Sequence, residues 1–195
     1  MTDEKTIIYV AGPTAGGKTT VADMLEATTG GYRVRGSQLL AEMATDRGIP
    51  TDKASLQNLY LTERKVHGEN FLAMLLAEKA CASNTSIVIA EGIRRITDIA
   101  SIEKINKGRN NTLKFMYIDA SPDVRFIRYN KRLNSLDQEP ITRDEFTILE
   151  ENPAEDELSL VKEMVRERGI VIDTNTLTRE EVLGQVQNFL NIKNV

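Results

Sequence analysis

The chain has 195 residues, 41% of them hydrophobic and 28% charged, which are ordinary values for a globular protein able to bury a real core. A formal net charge of −4 argues against extended, sequence-independent nucleic-acid binding, and the single cysteine, Cys81, excludes an intrachain disulfide and points to a reducing compartment, the cytoplasm. The longest apolar stretch, Phe71 to Ala77, is too short to span a bilayer, so no membrane partner is expected, and Met1 to Lys5 does not lead into a secretory h-region.

In chain order, Thr6 to Ala11 is a β-rich apolar run, and Thr20 to Glu26 reads as a helix. Between them, Gly12-Pro13-Thr14-Ala15-Gly16-Gly17-Lys18-Thr19 matches the phosphate-binding pattern G-x-x-x-x-G-K-[ST] at every fixed position. The glycines let the backbone curl so that its N–H groups face phosphate oxygens, and the helix start beside them adds positive potential. In this pattern Lys18 reaches the β- and γ-phosphates of ATP, Thr19 ligates Mg²⁺, and Thr20 closes the loop's contact set. Gly30-Gly31 ends the first helix, Tyr32 to Arg35 is a short second strand, and Ser37 is placed to cap a helix from Gln38 to about Arg47. Residues 53–83 read as helical with a break near Gly68, the second helix starting at about Glu69. Cys81 lies in that apolar helical run and suits a core position; His67, the one histidine, suits a helix surface or pocket rim.

Ser86 to Ala90 is a continuous apolar run, as expected of a central parallel strand, followed by Glu91-Gly92-Ile93-Arg94-Arg95. Thr97 to Lys107 is the next helix and Thr112 to Asp119 the next strand. Ser121-Pro122 opens a helix to about Arg132. Thr142-x-x-Glu145 is a capping box, Asn152-Pro153-x-Glu155 a further helix start leading to Arg168, Ile170 to Asp173 a last strand, and Thr178-x-x-Glu181 the cap of a closing helix. The acidic run from Glu150 to Glu157 can favour a helix N-terminus or attract Mg²⁺. Strands alternating with helices predict an α/β fold: a three-layer α/β/α arrangement around a central five-stranded parallel sheet. The chain is expected to form a single domain over 1–195, with an acceptor-binding helical insert at about 37–83 and a helical lid at about 125–150.

In such sheets ligands sit outside the carboxyl ends of the strands, which singles out the loops after them. Glu91 can hold Mg²⁺ through water or take a proton from a nucleophile; otherwise it is a surface acid in a turn. Arg94 or Arg95 can clamp an acceptor phosphate with a planar guanidinium, or the two form a solvated pair. Arg125, Arg128 and Arg132 are spaced three and four apart, on one helical face, where a triphosphate would neutralise them.

These residues resemble the nucleoside monophosphate kinase group of P-loop kinases, and within it a mainly archaeal branch related to adenylate kinase and dephospho-CoA kinase. The branch motif D-G-I-R stands here as Glu91-Gly92-Ile93-Arg94. The motif A-S-P-x-x-R-F-x-R-x-x-K-R is matched at every fixed position by residues 120–132, and an R-x-x-x-G element by Arg64 to Gly68. Val171 to Asn175 resembles the last strand and base-side loop. The resemblance implies ATP and Mg²⁺ as cofactors and a nucleotide-type small molecule, first a nucleoside monophosphate, as acceptor. A hydroxyl acceptor of the dephospho-CoA kind, or a slow ATPase switch, is the alternative. It further implies that Arg128 lies against the adenine with Asn175 beside the base, and that Arg132 reaches the phosphates from the lid. Arg94, or Arg95 on the adenylate-kinase spacing, would hold the acceptor phosphate near Arg64. Ser37, Gln38 and Ala41 replace residues that adenylate kinases use after the second strand, Glu91 replaces an aspartate, and residues 133–137 keep one of two acids and lose an arginine. The departures fall on the acceptor side.

Overall fold

The computed structural model describes residues 4–151 and 157–191. Five strands, β1 (Lys5–Ala11), β2 (Tyr32–Arg35), β3 (Ile87–Ile93), β4 (Asn111–Asp119) and β5 (Ile170–Asp173), pair in parallel in the order β2-β3-β1-β4-β5. The period-two pleat of β1 explains the layers. Ile7, Tyr9 and Ala11 enter one core with Leu76, Ala77, Ile99, Ile102, Val161 and Val165, while Ile8 and Val10 enter a second with Val21, Leu25, Val182 and Val186. The first core belongs to helices α4 (Phe71–Ala82), α5 (Ile96–Asn106) and α8 (Leu158–Arg168); the second to α1 (Lys18–Thr29) and α9 (Arg179–Leu190). Both faces of the sheet are therefore covered, which is why its central strands read as unbroken apolar runs.

The remaining helices crowd the carboxyl edge: α2 (Gly36–Asp46), α3 (Lys53–His67), α6 (Pro122–Asn134) and α7 (Arg143–Glu150). α6 starts where Ser121 Oγ accepts from the Val124 N–H, and α7 starts at the Thr142–Glu145 capping box. Tyr129, Leu133 and Phe146 form a small third core that also takes in Phe126, Ile141 and Ala15. Asn130 fastens the connection back onto α6: its amide donates to the Ile141 carbonyl at 2.9 Å and accepts the Ile141 N–H at 2.8 Å.

Several boundaries differ from the sequence expectation. Ser37 is not a helix cap. Arg35 is the extended cap residue, and α2 begins at Gly36, so Ser37 sits exposed in the first turn. The turn packs closely here: Gly92 takes φ +145°, which favours glycine, and Gly36 lies against Leu72 and Gly92, so the β2–α2 turn sits directly on β3. Glu69 lies before α4, which starts at Phe71. Glu91 is not in a loop. β3 runs on to Ile93, and a bulge pairs Ala11 with Ile93 rather than Gly92. The expected helix start at Asn152 lies outside the described residues, as does most of the acidic run; α8 is described from Leu158.

Candidate active site

The phosphate-binding loop is set by backbone sterics. Gly12 has φ +137°, and a Cβ there would overlap the Ile118 carbonyl oxygen of β4. A Cβ on Gly16 would stand 2.9 Å from the same oxygen. The loop is thus pressed against the next strand, at a distance only glycine permits. Gly17, at φ +107°, is the N-cap of α1 and has no side chain to cap it, so the first turn of the helix opens directly onto the loop. Ala15 takes φ +58° and packs on the third core. Lys18 Nζ donates to the carbonyls of Gly12 at 2.8 Å and Pro13 at 2.7 Å, curling over the loop it serves. Thr19 is exposed at the start of α1, with Thr20 half-buried behind it. Pro13 is buried and Thr14 half-buried in the loop.

Glu91 is 8% exposed, too buried to be a surface acid. Its charge is met by Arg33 on β2, whose Nε–H donates to Glu91 Oε1 at 2.6 Å; Arg35 Nε stands 3.6 Å from the same oxygen. Arg33 also pairs with Asp23 on α1, and its Nη2 reaches the Thr19 carbonyl at 3.4 Å. Burial pulls the Arg33 pKa down, but the hydrogen bonds it donates to Glu91 and then Asp23 outweigh that and raise it, and the guanidinium ties the Glu91 carboxylate to the first turn of α1. Sequence reading passed over Arg33. The signal was its alternation: Val34 enters the first core, so Arg33 faces α1.

The three arginines of α6 separate. Arg128 Nη1 donates to Thr174 Oγ1 at 2.8 Å and to the Gly16 carbonyl at 3.4 Å, and Nη2 donates to the Thr174 carbonyl at 2.7 Å. It joins the phosphate-binding loop to the loop after β5. Thr174 Oγ1 itself donates to Gly16 or Asp119 carbonyl oxygens, 3.0 and 2.9 Å away. Asn175 Oδ1 accepts the Ser121 N–H at 2.7 Å, which aligns the same loop with the start of α6. Arg125 is buried, donates from Nε to the Ala120 carbonyl at 3.0 Å and pairs with Glu150 of α7; it is a structural brace. Arg132 is exposed, its guanidinium 5.0 Å from the centre of the Tyr129 ring.

On the other flank, past β3, Arg64 and Arg95 meet on one carboxylate. Glu69 Oε1 pairs with Arg64 Nη2, and Glu69 Oε2 accepts from Arg95 Nη1 at 2.6 Å. Arg94 and Arg95 both give their backbone N–H to Asp98 Oδ2, at 2.9 and 3.0 Å, which fixes the turn into α5. Burial pushes the Asp98 carboxyl up, opposed by those two N–H groups. Gln38 donates to Glu42 on the surface of α2. His67 is an exposed neighbour of Glu63, 3.4 Å from its carboxylate. Cys81 is a packed thiol whose pKa burial pushes up, its Sγ–H donating to Asn106. Among the described residues, no group of three His, Cys, Asp or Glu side chains is placed to hold a metal ion. Nor is any helix there long and apolar enough to cross a membrane.

No protein-family model matches the chain. A UPF0200 protein of Hyperthermus butylicus is 31% identical over 140 residues, which cover 72% of this chain and 71% of that protein. The chain belongs to the UPF0200 family. Solved structures at low identity share its fold. Protein TT1252 of Thermus thermophilus matches with a TM-score of 0.61 at 18% identity, covering 95% of this chain and 98% of that one. Shikimate kinase of Acinetobacter baumannii, solved with shikimate, matches at 0.58 and 18%, covering 98% and 96%. The APS kinase of Mycobacterium tuberculosis, solved with AMPPNP and APS, matches at 0.58 and 12%, covering 96% and 98%. This member of the UPF0200 family therefore has the three-layer P-loop kinase fold.

Proposed function

We propose that this UPF0200 protein is an ATP- and Mg²⁺-dependent phosphotransferase whose acceptor is a small nucleotide-like molecule, first a nucleoside monophosphate. The observation that supports the proposal is a pair of donor-rich clusters beyond the carboxyl ends of the strands, each suited to an anion. One is the loop after β1, with Arg128 against it; the other is the Arg64–Arg95 pair past β3. Two such sites suit two phosphate-bearing substrates meeting end to end.

In this reading, residues 12–20 hold the triphosphate, with Arg128 and the Thr174–Asn175 loop on the base side. An oxygen of the acceptor phosphate attacks the γ-phosphorus, the bond to the β–γ bridging oxygen breaks, and ADP leaves. Lys18 exchanges its loop carbonyls for β- and γ-oxygens and neutralises charge as it develops. The oxygen-donor set of Thr19 and Glu91 fits Mg²⁺, a hard cation that keeps waters and takes its other oxygens from phosphates. Glu91 fits through water, because Arg33 already holds Oε1. That contact also disfavours Glu91 as a base toward a hydroxyl acceptor. When bound, Mg²⁺ supplies charge neutralisation at the β- and γ-phosphates. Helices α6 and α7, about 125–150, act as the lid: their small core rests on Ala15 and closes Arg132 over the transferring group. Residues 37–83 form the acceptor side, where Arg95 with Arg64 grips the phosphate and Ser37, Gln38 and Arg94 line the approach.

A panel of nucleoside monophosphates, deoxynucleotides and dephospho-CoA with ATP and Mg²⁺, read as ADP release, tests the proposal. Stimulation by a monophosphate supports it. Equal ADP release with and without every panel member contradicts it.

A further inference from the structure

The acceptor side carries an anion of its own. Glu69 stands between Gly68, at φ +91° with open space around its missing Cβ, and Asn70, whose amide is fixed to Ser101 at 3.0 Å and Thr97 at 2.8 Å. Gly68 gives its N–H to the Arg64 carbonyl at 3.0 Å and its carbonyl accepts the Phe71 N–H at 3.3 Å, so the main chain on both sides is held and only the Glu69 side chain reaches across. The Glu69 carboxylate splits its oxygens between two guanidiniums, Arg64 and Arg95, much as a phosphate group would. The partners are unequally committed: the Arg95 side chain is 10% exposed, that of Glu69 62%. The arginine is part of the wall, and the glutamate is a visitor from solvent. Arg95 Nε is moreover buried with no hydrogen-bond partner.

We infer that Glu69 is a stand-in for the acceptor's phosphate. Its exposed side chain holds Arg64 and Arg95 in their binding geometry and rotates out into solvent when a phosphate monoester dianion arrives. This rests on the acceptor site proposed above and narrows its substrate class. A single carboxylate on an acceptor only repeats what Glu69 offers, and Glu69 is tethered at high effective concentration. A phosphate dianion brings a second charge to the same two guanidiniums. Glu69 is thus a specificity-determining residue that favours phosphate-bearing acceptors over carboxylates and uncharged sugars.

The test follows the Arg95 Nε–H resonance in the full-length, ¹⁵N-labelled protein, with ADP and Mg²⁺ filling the phosphate-binding loop. Inorganic phosphate is the probe and acetate the control. In the wild type, phosphate moves the signal and acetate does not. In Glu69→Gln the phosphate midpoint falls by roughly fivefold, within the range of exposed ion pairs, and acetate begins to register. Glu69→Ala, which cannot hydrogen-bond to either arginine, gives the same fall. An unchanged midpoint in both variants, with the Arg95 signal still moving, overturns the stand-in role and leaves the acceptor site intact. An Arg95 signal that ignores phosphate in all three proteins overturns the acceptor site as well, and the inference with it.

Discussion

The two proposed anion sites of this molecule are made differently. The loop after β1 is shaped by main chain: Gly12 and Gly16 lie against the Ile118 carbonyl, and Lys18 curls onto the carbonyls of Gly12 and Pro13. The site past β3 is shaped by side chains, with Arg64 and Arg95 drawn together by an exposed glutamate. A site made of backbone hardly adapts, which in the proposed function suits one kind of group, the polyphosphate. A site made of long side chains is set by which charges face each other, and small sequence changes retune it. In the proposed function the first site would hold the donor and the second the acceptor.

The sharpest way to break that comparison is Lys18→Ala. Loss of one preorganised charge at the transferring group is expected to lower turnover roughly a thousandfold, about 4 kcal/mol, with the melting temperature unchanged. Steady-state ADP release and a thermal melt of the same sample read both. Gly12→Ala should do the reverse and fail structurally. At φ +137° and against the Ile118 carbonyl, a methyl group is expected to cost about 3 kcal/mol of stability or more, read by urea denaturation. If Gly12→Ala unfolds like the wild type, the donor loop is not sterically fixed.

On the acceptor side the effects are smaller and selective. Arg95→Lys keeps the charge but loses the planar fork, and is expected to lower acceptor kcat/KM about tenfold, 1.4 kcal/mol, with ATP affinity nearly unmoved. Arg94→Lys should change acceptor kinetics less than threefold (about 0.6 kcal/mol). The opposite ranking moves the clamp by one residue. The smallest effect is one of pH. The Arg64 hydrogen bond, and then the charge of Arg95, hold the Glu69 carboxyl below the usual carboxylate range. Its depressed value means that its ion pairs persist above the ordinary carboxyl pKa and are lost only as pH falls through the lowered one. Glu69 thus stays charged from pH 6 to 8, and the acceptor phosphate, with a second pKa of about 6, is the group that titrates. Acceptor KM should fall about twofold over that span, and the fall should persist in Glu69→Gln.

How legible each half was in the sequence follows from the same difference. The phosphate-binding loop, the five strands and the caps at Ser121, Thr142 and Thr178 were readable because each depends on a few adjacent residues with fixed backbone demands. The start of α2 was misread, because it is set by the approach of Gly36 to Leu72 and Gly92, contacts far apart in sequence. Glu91 was singled out, but its burial and its partner Arg33 were not, since an ion pair across 58 positions leaves no local pattern. Arg125 shared a helical face with Arg128 by spacing, yet the fold turns it to Ala120 and Glu150. The placement of Glu69 left no local mark for the same reason: only the folded chain sets it between Arg64 and Arg95.

The proposal that two anion sites pass one phosphoryl group between them is tested most directly by the fate of that group. ATP labelled at the γ-phosphate is incubated with the protein, Mg²⁺ and the best phosphate-bearing acceptor, and the products are separated. The account predicts one labelled acceptor for each ADP formed, with inorganic phosphate a minor product. ADP matched one-to-one by labelled inorganic phosphate, with the acceptor unlabelled, would contradict it and make the molecule a nucleotide-hydrolysing switch.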